Sequence, residues 1–281
     1  MRARRLALLP ALLGALAPAA AGAAPGRLAA ELRVGGAAAE ALTVPIGLGE
    51  RDLGEISDVL LDLCLDDDDT PGSCDAAGIV TLDAAPAPPF HLGGPFREVI
   101  ATGAVTPASF PIALQPGQRL KAVVQWAVDR VGEVNGSFTL GARSPGGELA
   151  DTLTVQLSGT GTALDACFPF FGRMCLGDGR FKLEARFLTN TAEEGRASPV
   201  HLTPDTGYFW FFGSANVEAV VKVLNGCPVN DRYWVFAGGL TNVRTLFTVA
   251  DLQAGVVKTY INPQNLPFQP IQDTSAFATC P

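Results

Sequence analysis

The chain has 281 residues, 48% of them apolar, with 31 glycines, 21 prolines and a formal charge of −8. An acidic balance argues against nucleic acid as a partner, because binding phosphates needs a surplus of lysine and arginine. The length suits two domains of ordinary size once an N-terminal leader is set aside.

That leader comes first in the chain. Arg2, Arg4 and Arg5 precede an apolar run from Leu6 to Ala17, and small residues continue through Ala24. A basic head, an apolar middle and a small-residue end are the layout of a secretory signal peptide. Ala21 and Ala23 obey the small-x-small rule, so residues 1–23 are predicted to be removed by cleavage after about Ala23. A membrane anchor would need about 20 apolar residues, whereas this run is shorter and carries Pro10 and Pro18. No later stretch is apolar enough to span a bilayer and no cysteine sits at the cleavage point for lipid attachment. The expected product is secreted or at the cell surface, with the periplasm as the alternative, and carries a charge of about −11 without the leader's arginines.

Residues 28–162 are predicted to be a β-sandwich, since apolar residues alternate and Gly and Pro clusters interrupt them often. Early in this stretch lies the sharpest polar constellation, Asp66, Asp67, Asp68 and Asp69, with Asp62 and Asp75 nearby. Calcium takes six to eight oxygens, and an acidic loop closed by Cys64 and Cys74 would supply several. The spacing is not that of an EF-hand, and consecutive aspartates cannot all point inward, so a solvated acidic turn is the competing reading. Further on, Leu120, Ala122, Val124, Trp126 and Val128 share one face while Lys121 and Gln125 take the other, a half-buried strand. Phe138, Leu140 and Ala142 alternate with Thr139 and Arg143, and Asn135-Gly136 before them reads as a hairpin turn. Leu153, Val155 and Leu157 alternate with Thr152, Thr154 and Gln156. These are read as three successive antiparallel strands, covered by a second sheet drawn from about residues 41–112.

The run FPIALQPGQRLKAVVQWAVDRVGEVNGSFTL, continued by LTVQLSGTGT, resembles the second half of choice-of-anchor D or Hydin-type immunoglobulin-like repeats, over about residues 41–162. The Pro-Gly turn before a long strand, the Gly-led hairpin and the closing Leu-x-Gly-Thr-Gly carry the resemblance. Trp126-Ala127-Val128 replaces the usual aromatic-x-Pro, and the Cys64 loop is an addition. The resemblance implies an immunoglobulin-like fold.

Residues 163–178 form a connector holding Cys167, Pro169 and Cys175, and residues 179–281 are predicted to be a second sandwich, immunoglobulin-like or jelly-roll-like. Phe181, Leu183, Ala185 and Phe187 alternate with Lys182, Glu184 and Arg186. Tyr208, Trp210 and Phe212 face opposite to Phe209 and Phe211, as in a strand buried on both sides. Strands are expected at about 217–224, 233–237, 244–251 and 255–261, each bounded by Asn, Gly or Pro. From about 175 to 281 the chain resembles a recurrent, often C-terminal module of secreted bacterial proteins, through CLGDGRFKLEARF, LTPDTGYFWFF, NVEAVVKVLNGC, YWVFAGGLTNV and QDTSAFATCP. That module has no established activity, so the resemblance implies a fold and an exported location but no catalytic residue.

All six cysteines fall after the leader, and an even count in an exported chain reads as a disulfide set. Short spacing favours Cys64 with Cys74 and Cys167 with Cys175, which leaves Cys227 with Cys280. A zinc site is disfavoured, because His91 and His201 are the only histidines and paired-cysteine spacing is absent. Neither histidine sits in a recognisable catalytic context, and no serine-hydrolase or zinc-protease motif is present. The aromatic group Tyr208 to Phe212 with Tyr233 and Trp234 reads mainly as core, with Tyr208 and Trp234 as candidates for sugar stacking if exposed. The expected function is therefore a non-catalytic structural or adhesion-like interaction protein without a cofactor, calcium excepted, and with a cell-surface glycan or another secreted protein as partner. A carbohydrate-binding module is the alternative, and a hydrolase with an unrecognised carboxylate pair is the second.

Overall fold

The computed structural model describes residues 26–33, 40–67 and 73–281, and the predicted signal peptide lies outside them. The first ten strands are β1 (Gly26–Arg33), β2 (Glu40–Asp52), β3 (Ile56–Asp66), β4 (Gly78–Ala84), β5 (Phe90–Val99), β6 (Ala104–Pro107), β7 (Ile112–Leu114), β8 (Gln118–Ala127), β9 (Gly132–Arg143) and β10 (Leu149–Thr162). They form two facing sheets, in the orders β1-β3-β8-β5-β6 and β2-β10-β9-β4-β7. Most pairs are antiparallel, but β1 runs parallel to β3 and β2 parallel to β10. With β3, β8 and β5 facing β4, β9 and β10, the order is that of strands B, E, D against C, F, G in an immunoglobulin sandwich.

The alternation in the sequence builds this core. Leu120, Ala122, Val124, Trp126 and Val128 from one sheet meet Phe138, Leu140, Ala142, Leu153, Val155 and Leu157 from the other. Two expectations are corrected. β8 does not pair with β9 but lies in the opposite sheet, so the chain arches across the sandwich between them. Asn135-Gly136 is not a turn; it lies within β9, opposite Ser158 and Leu157 of β10. Gly136 is needed there because a Cβ would overlap the ring of Phe90.

The second sandwich comprises β11 (Arg173–Leu176), β12 (Phe181–Leu188), β13 (Glu194–Arg196), β14 (Ser198–Thr203), β15 (Thr206–Trp210), β16 (Ala219–Asn225), the short helix α1 (Cys227–Asn230), β17 (Tyr233–Gly239), β18 (Arg244–Asp251), β19 (Val256–Asn262) and β20 (Ile271–Phe277). One sheet runs β11-β12-β18-β19, with β13 also on β12, and the other runs β14-β15-β16-β17-β20. Phe181, Leu183, Ala185 and Phe187 meet Phe209, Val221, Val223 and Val235 in the core. Strand β11 falls within the predicted connector and pairs with β12.

The two sandwiches are locked face to face. The polar half of the β12 alternation is turned not to water but onto β3 and the residues just before it. Lys182, fully buried, donates from Nζ to the carbonyl of Leu53 at 2.9 Å and lies 3.3 Å from Glu184. Arg186 donates to the carbonyl of Ile56 at 3.0 Å and pairs with Asp58 at 3.1 Å. Thr248 Oγ1 donates to the Gly54 carbonyl at 2.5 Å, and Arg244 donates to Gln125 Oε1, whose Nε2 donates to Asp58 at 3.0 Å. Apolar groups fill the spaces between: Ile56 and Ala127 against Leu246, Phe96 and Val123 against Leu188, and Leu53 against Ala250 and Leu252. Strand β8 is thus buried on both faces rather than one.

Candidate functional site

The six cysteines form Cys64–Cys74, Cys167–Cys175 and Cys227–Cys280, which leaves no thiol for zinc. In the acidic loop the carboxylate of Asp66 is buried and already engaged. Its Oδ1 accepts the Cys74 backbone N–H at 2.6 Å and the Ser73 hydroxyl at 3.0 Å. Asp75 Oδ1 accepts the N–H of Asp67 at 3.3 Å. These carboxylates bracket the loop at its disulfide. Asp66 is also the one oxygen donor grouped with Cys64 and Cys74, whose sulfurs are bonded to each other. Asp68 and Asp69 lie outside the described residues.

The last sheet, β14-β15-β16-β17-β20, has an inner face in the core and an outer face turned away from it. Phe209, Phe211 and Tyr233 are inner and buried. Tyr208, Trp210 and Trp234 are half-buried on the outer side, so β15 is covered on one face and not on both as expected. Registers place Tyr208 opposite Val220, Lys222 opposite Phe236, and Leu224 opposite Trp234. The outer face therefore carries apolar and aromatic residues to either side of a row in which Thr206, Lys222 and Gln272 accompany Phe236, with Val220 38% exposed and Lys222 Nζ 5.2 Å above the Phe236 ring. Trp234 packs over Gly226, where a Cβ would overlap the indole, and its N–H donates to Asn230 Oδ1 at 2.8 Å.

The two predicted sugar-stacking residues thus share a face but not a position. Two strand spacings and a four-residue offset separate Tyr208 from Trp234 by ~16 Å, so they cannot clasp one sugar ring. Phe236, Leu224 and Lys222 were missed as members of this face. The period-two alternation of YWVFAGG held the signal, since it puts Trp234 and Phe236 on one side. At one end of this sandwich an open recess of about 500 Å³ lies among Phe212, Glu218, Leu240 and Phe268.

The histidines are not brought together with any nucleophile or acid pair. His201 is exposed on edge strand β14. His91, on β5, is held below its ordinary value by burial and by the Arg244 guanidinium, against the opposing Asp129. One carboxyl pair does exist, Asp58 with Glu194. Burial raises both above the ordinary carboxylate range, the neighbouring Asp58 carboxylate adds to the rise at Glu194, and Arg186 pulls both down.

No protein-family model and no curated protein matches the chain. Among solved structures, PbICP-C in complex with falcipain-2 is similar at 11% identity and TM-score 0.24, over 47% of this chain and 98% of that one. A chaperone–tip adhesin complex of CFA/I fimbriae biogenesis is similar at 10% identity and TM-score 0.26, over 89% and 95%. A point mutant of the CFA/I enterotoxigenic E. coli adhesin CfaE is similar at 12% identity and TM-score 0.21, over 90% and 78%. Scores this low carry no argument about this chain.

Proposed function

We propose that this chain is an exported, non-catalytic interaction protein of adhesion-like type, a rigid two-sandwich body that presents the outer face of its last sheet to a partner. The observation that carries this reading is the row Tyr208, Trp210, Val220, Leu224, Trp234 and Phe236, half-open to solvent with Lys222 as the charge among them. A half-open cluster of aromatic and apolar residues of this kind marks a contact surface more often than a solvated one. The basic, apolar and small-residue order of the leader and the three disulfides support export. The strand order of the first sandwich supports reading it as an immunoglobulin-like module.

The aromatic content of the same face favours a second reading, a carbohydrate-binding module for an extended glycan. A glycan array probed with the oxidised mature protein, with and without calcium, separates the two. Specific binding that falls about tenfold or more in Tyr208→Ala and Trp234→Ala supports the glycan reading; a blank array leaves a protein partner. The interaction reading itself expects saturable binding to cell surfaces or secreted partners that a Leu224→Ser/Phe236→Ser variant weakens. Undiminished binding by that variant would remove this face from the account.

A further inference from the structure

The loop closed by Cys167–Cys175 reads Cys-Phe-Pro-Phe-Phe-Gly-Arg-Met-Cys, and its phenylalanines point outward: Phe168 is 72% exposed, Phe170 59% and Phe171 70%. At roughly 150–250 Å² per aromatic side chain, these three expose on the order of 400 Å² of apolar surface at one tip. Patches of that size mark interaction sites on soluble chains.

The base of the loop is fixed. Met174 is buried in the second core, Arg173 is paired with Asp52 at 3.2 Å and with Glu184 at 3.5 Å, and the disulfide ties the two ends. The tip therefore keeps its shape in water and loses little further freedom on contact.

The chemistry of the tip selects the partner. From Phe168 to Gly172 there is no polar or charged side chain. Two of its backbone carbonyls are engaged within the protein: that of Phe170 accepts the N–H of Arg173 at 2.8 Å, and that of Phe171 accepts Arg196 Nη1 at 3.4 Å. The tip is also convex, so a deformable medium accommodates it, whereas a protein would need a matched cavity. The chain's charge of −8 and the ion pairs already made by Arg173 and by Arg196 with Glu184 at 3.8 Å leave little attraction for anionic headgroups.

We propose that Phe168, Phe170 and Phe171 form a peripheral anchor that inserts into the interfacial region of a zwitterionic bilayer. The anchor is separate from the outer sheet face and does not rest on the function proposed for that face. Its affinity is that of a single weak lipid anchor, with half-binding at ~0.1 to 1 mM accessible lipid.

The test is co-sedimentation of the oxidised mature protein with phosphatidylcholine vesicles up to about 5 mM lipid, repeated with added phosphatidylserine. The wild type is expected to bind, with no gain from phosphatidylserine. The variant Phe168→Ser/Phe170→Ser/Phe171→Ser is expected to bind at least about tenfold more weakly, because each removed side chain takes its apolar transfer with it. Circular dichroism of that variant checks that it folds, and Leu224→Ser/Phe236→Ser should bind vesicles as the wild type does. As a direct readout, Phe170→Trp should show a blue-shifted emission component on vesicle addition beyond any seen in the wild type. Absence of wild-type sedimentation, or equal sedimentation of the triple variant, overturns the proposal. Self-association lost in the triple variant, without vesicle binding, would assign the tip to a protein contact instead.

Discussion

Arg180 shows how single side chains bind the second sandwich together. Its guanidinium holds Asp251 through two bonds of 2.9 and 2.7 Å, reaches the Tyr233 hydroxyl at 2.8 Å and donates to the Thr279 carbonyl at 2.6 Å. Asp251 is fully buried, so Arg180→Ala should leave an interior carboxylate with the Thr279 hydroxyl but no counter-charge and cost about 3–5 kcal/mol in a denaturant titration. Arg180→Lys should also be costly, because an ammonium cannot reproduce the two-pronged contact. The carboxyls of Asp58 and Glu194 make a pH prediction. Their ordinary values are 3.8 and 4.5, and both are raised, first by burial. The folded state therefore holds their protons longer than the unfolded chain, so their contribution is full below those ordinary values and is lost as pH rises through the raised ones. Arg186 and Arg196 charges and the Gln125 amide face Asp58 and lower it against that trend. His91 acts in the opposite sense. Its value is depressed from 6.5, so its contribution is present above 6.5 and is lost as pH falls through the lower value. The parent's urea midpoint is expected to decline as pH rises above about 4, Asp58→Asn should lose much of that decline, and an unchanged profile would refute the assignment to Asp58.

Among the elements, those whose two faces differ in polarity were legible in the sequence. Alternation in Phe181 to Phe187 located β12 and named its inner residues, the same rule located β9 and β10, and bounding Asn, Gly or Pro residues located β16, β17, β18 and β19. The neighbours of each strand were not legible, because alternation fixes a face and not a sheet; β8 consequently was expected beside β9 and lies opposite it. Asn135-Gly136 misled for a different reason. The glycine is there for close approach of Phe90, a tertiary demand that looks like a turn signal in one dimension. For the candidate face, Tyr208 and Trp234 were legible as aromatics, but their half-exposure depended on β15 being covered on one side alone. The cysteine spacing, by contrast, pointed to the pairs seen. Cys227–Cys280 spans 53 residues and ties α1 to the C-terminal end. Replacing both with serine should lower stability by roughly 3–4 kcal/mol, read as a fall in denaturant midpoint, since the loop it closes is long.

Across the whole molecule, what the sequence left open was how the halves sit together. A polar strand face such as Lys182, Glu184 and Arg186 reads as solvated when its partner is unknown; here it is desolvated against Leu53, Ile56 and Asp58. Buried ion pairs of this kind cost desolvation and add little net stability, but they resist any sliding that would separate the charges. Rigidity between the sandwiches therefore comes from polar matching together with the small apolar contacts of Ile56, Ala127 and Leu246. A fixed body of this type can hold the outer face of the last sheet and the phenylalanine tip at a constant relation to each other. The most direct test is calorimetric unfolding of the oxidised mature protein. One transition is expected, with calorimetric and van't Hoff enthalpies equal, splitting into two when Lys182→Ala and Arg244→Ala are combined. Two well-separated transitions in the parent protein would contradict the account, because they would mean that the sandwiches unfold, and move, independently.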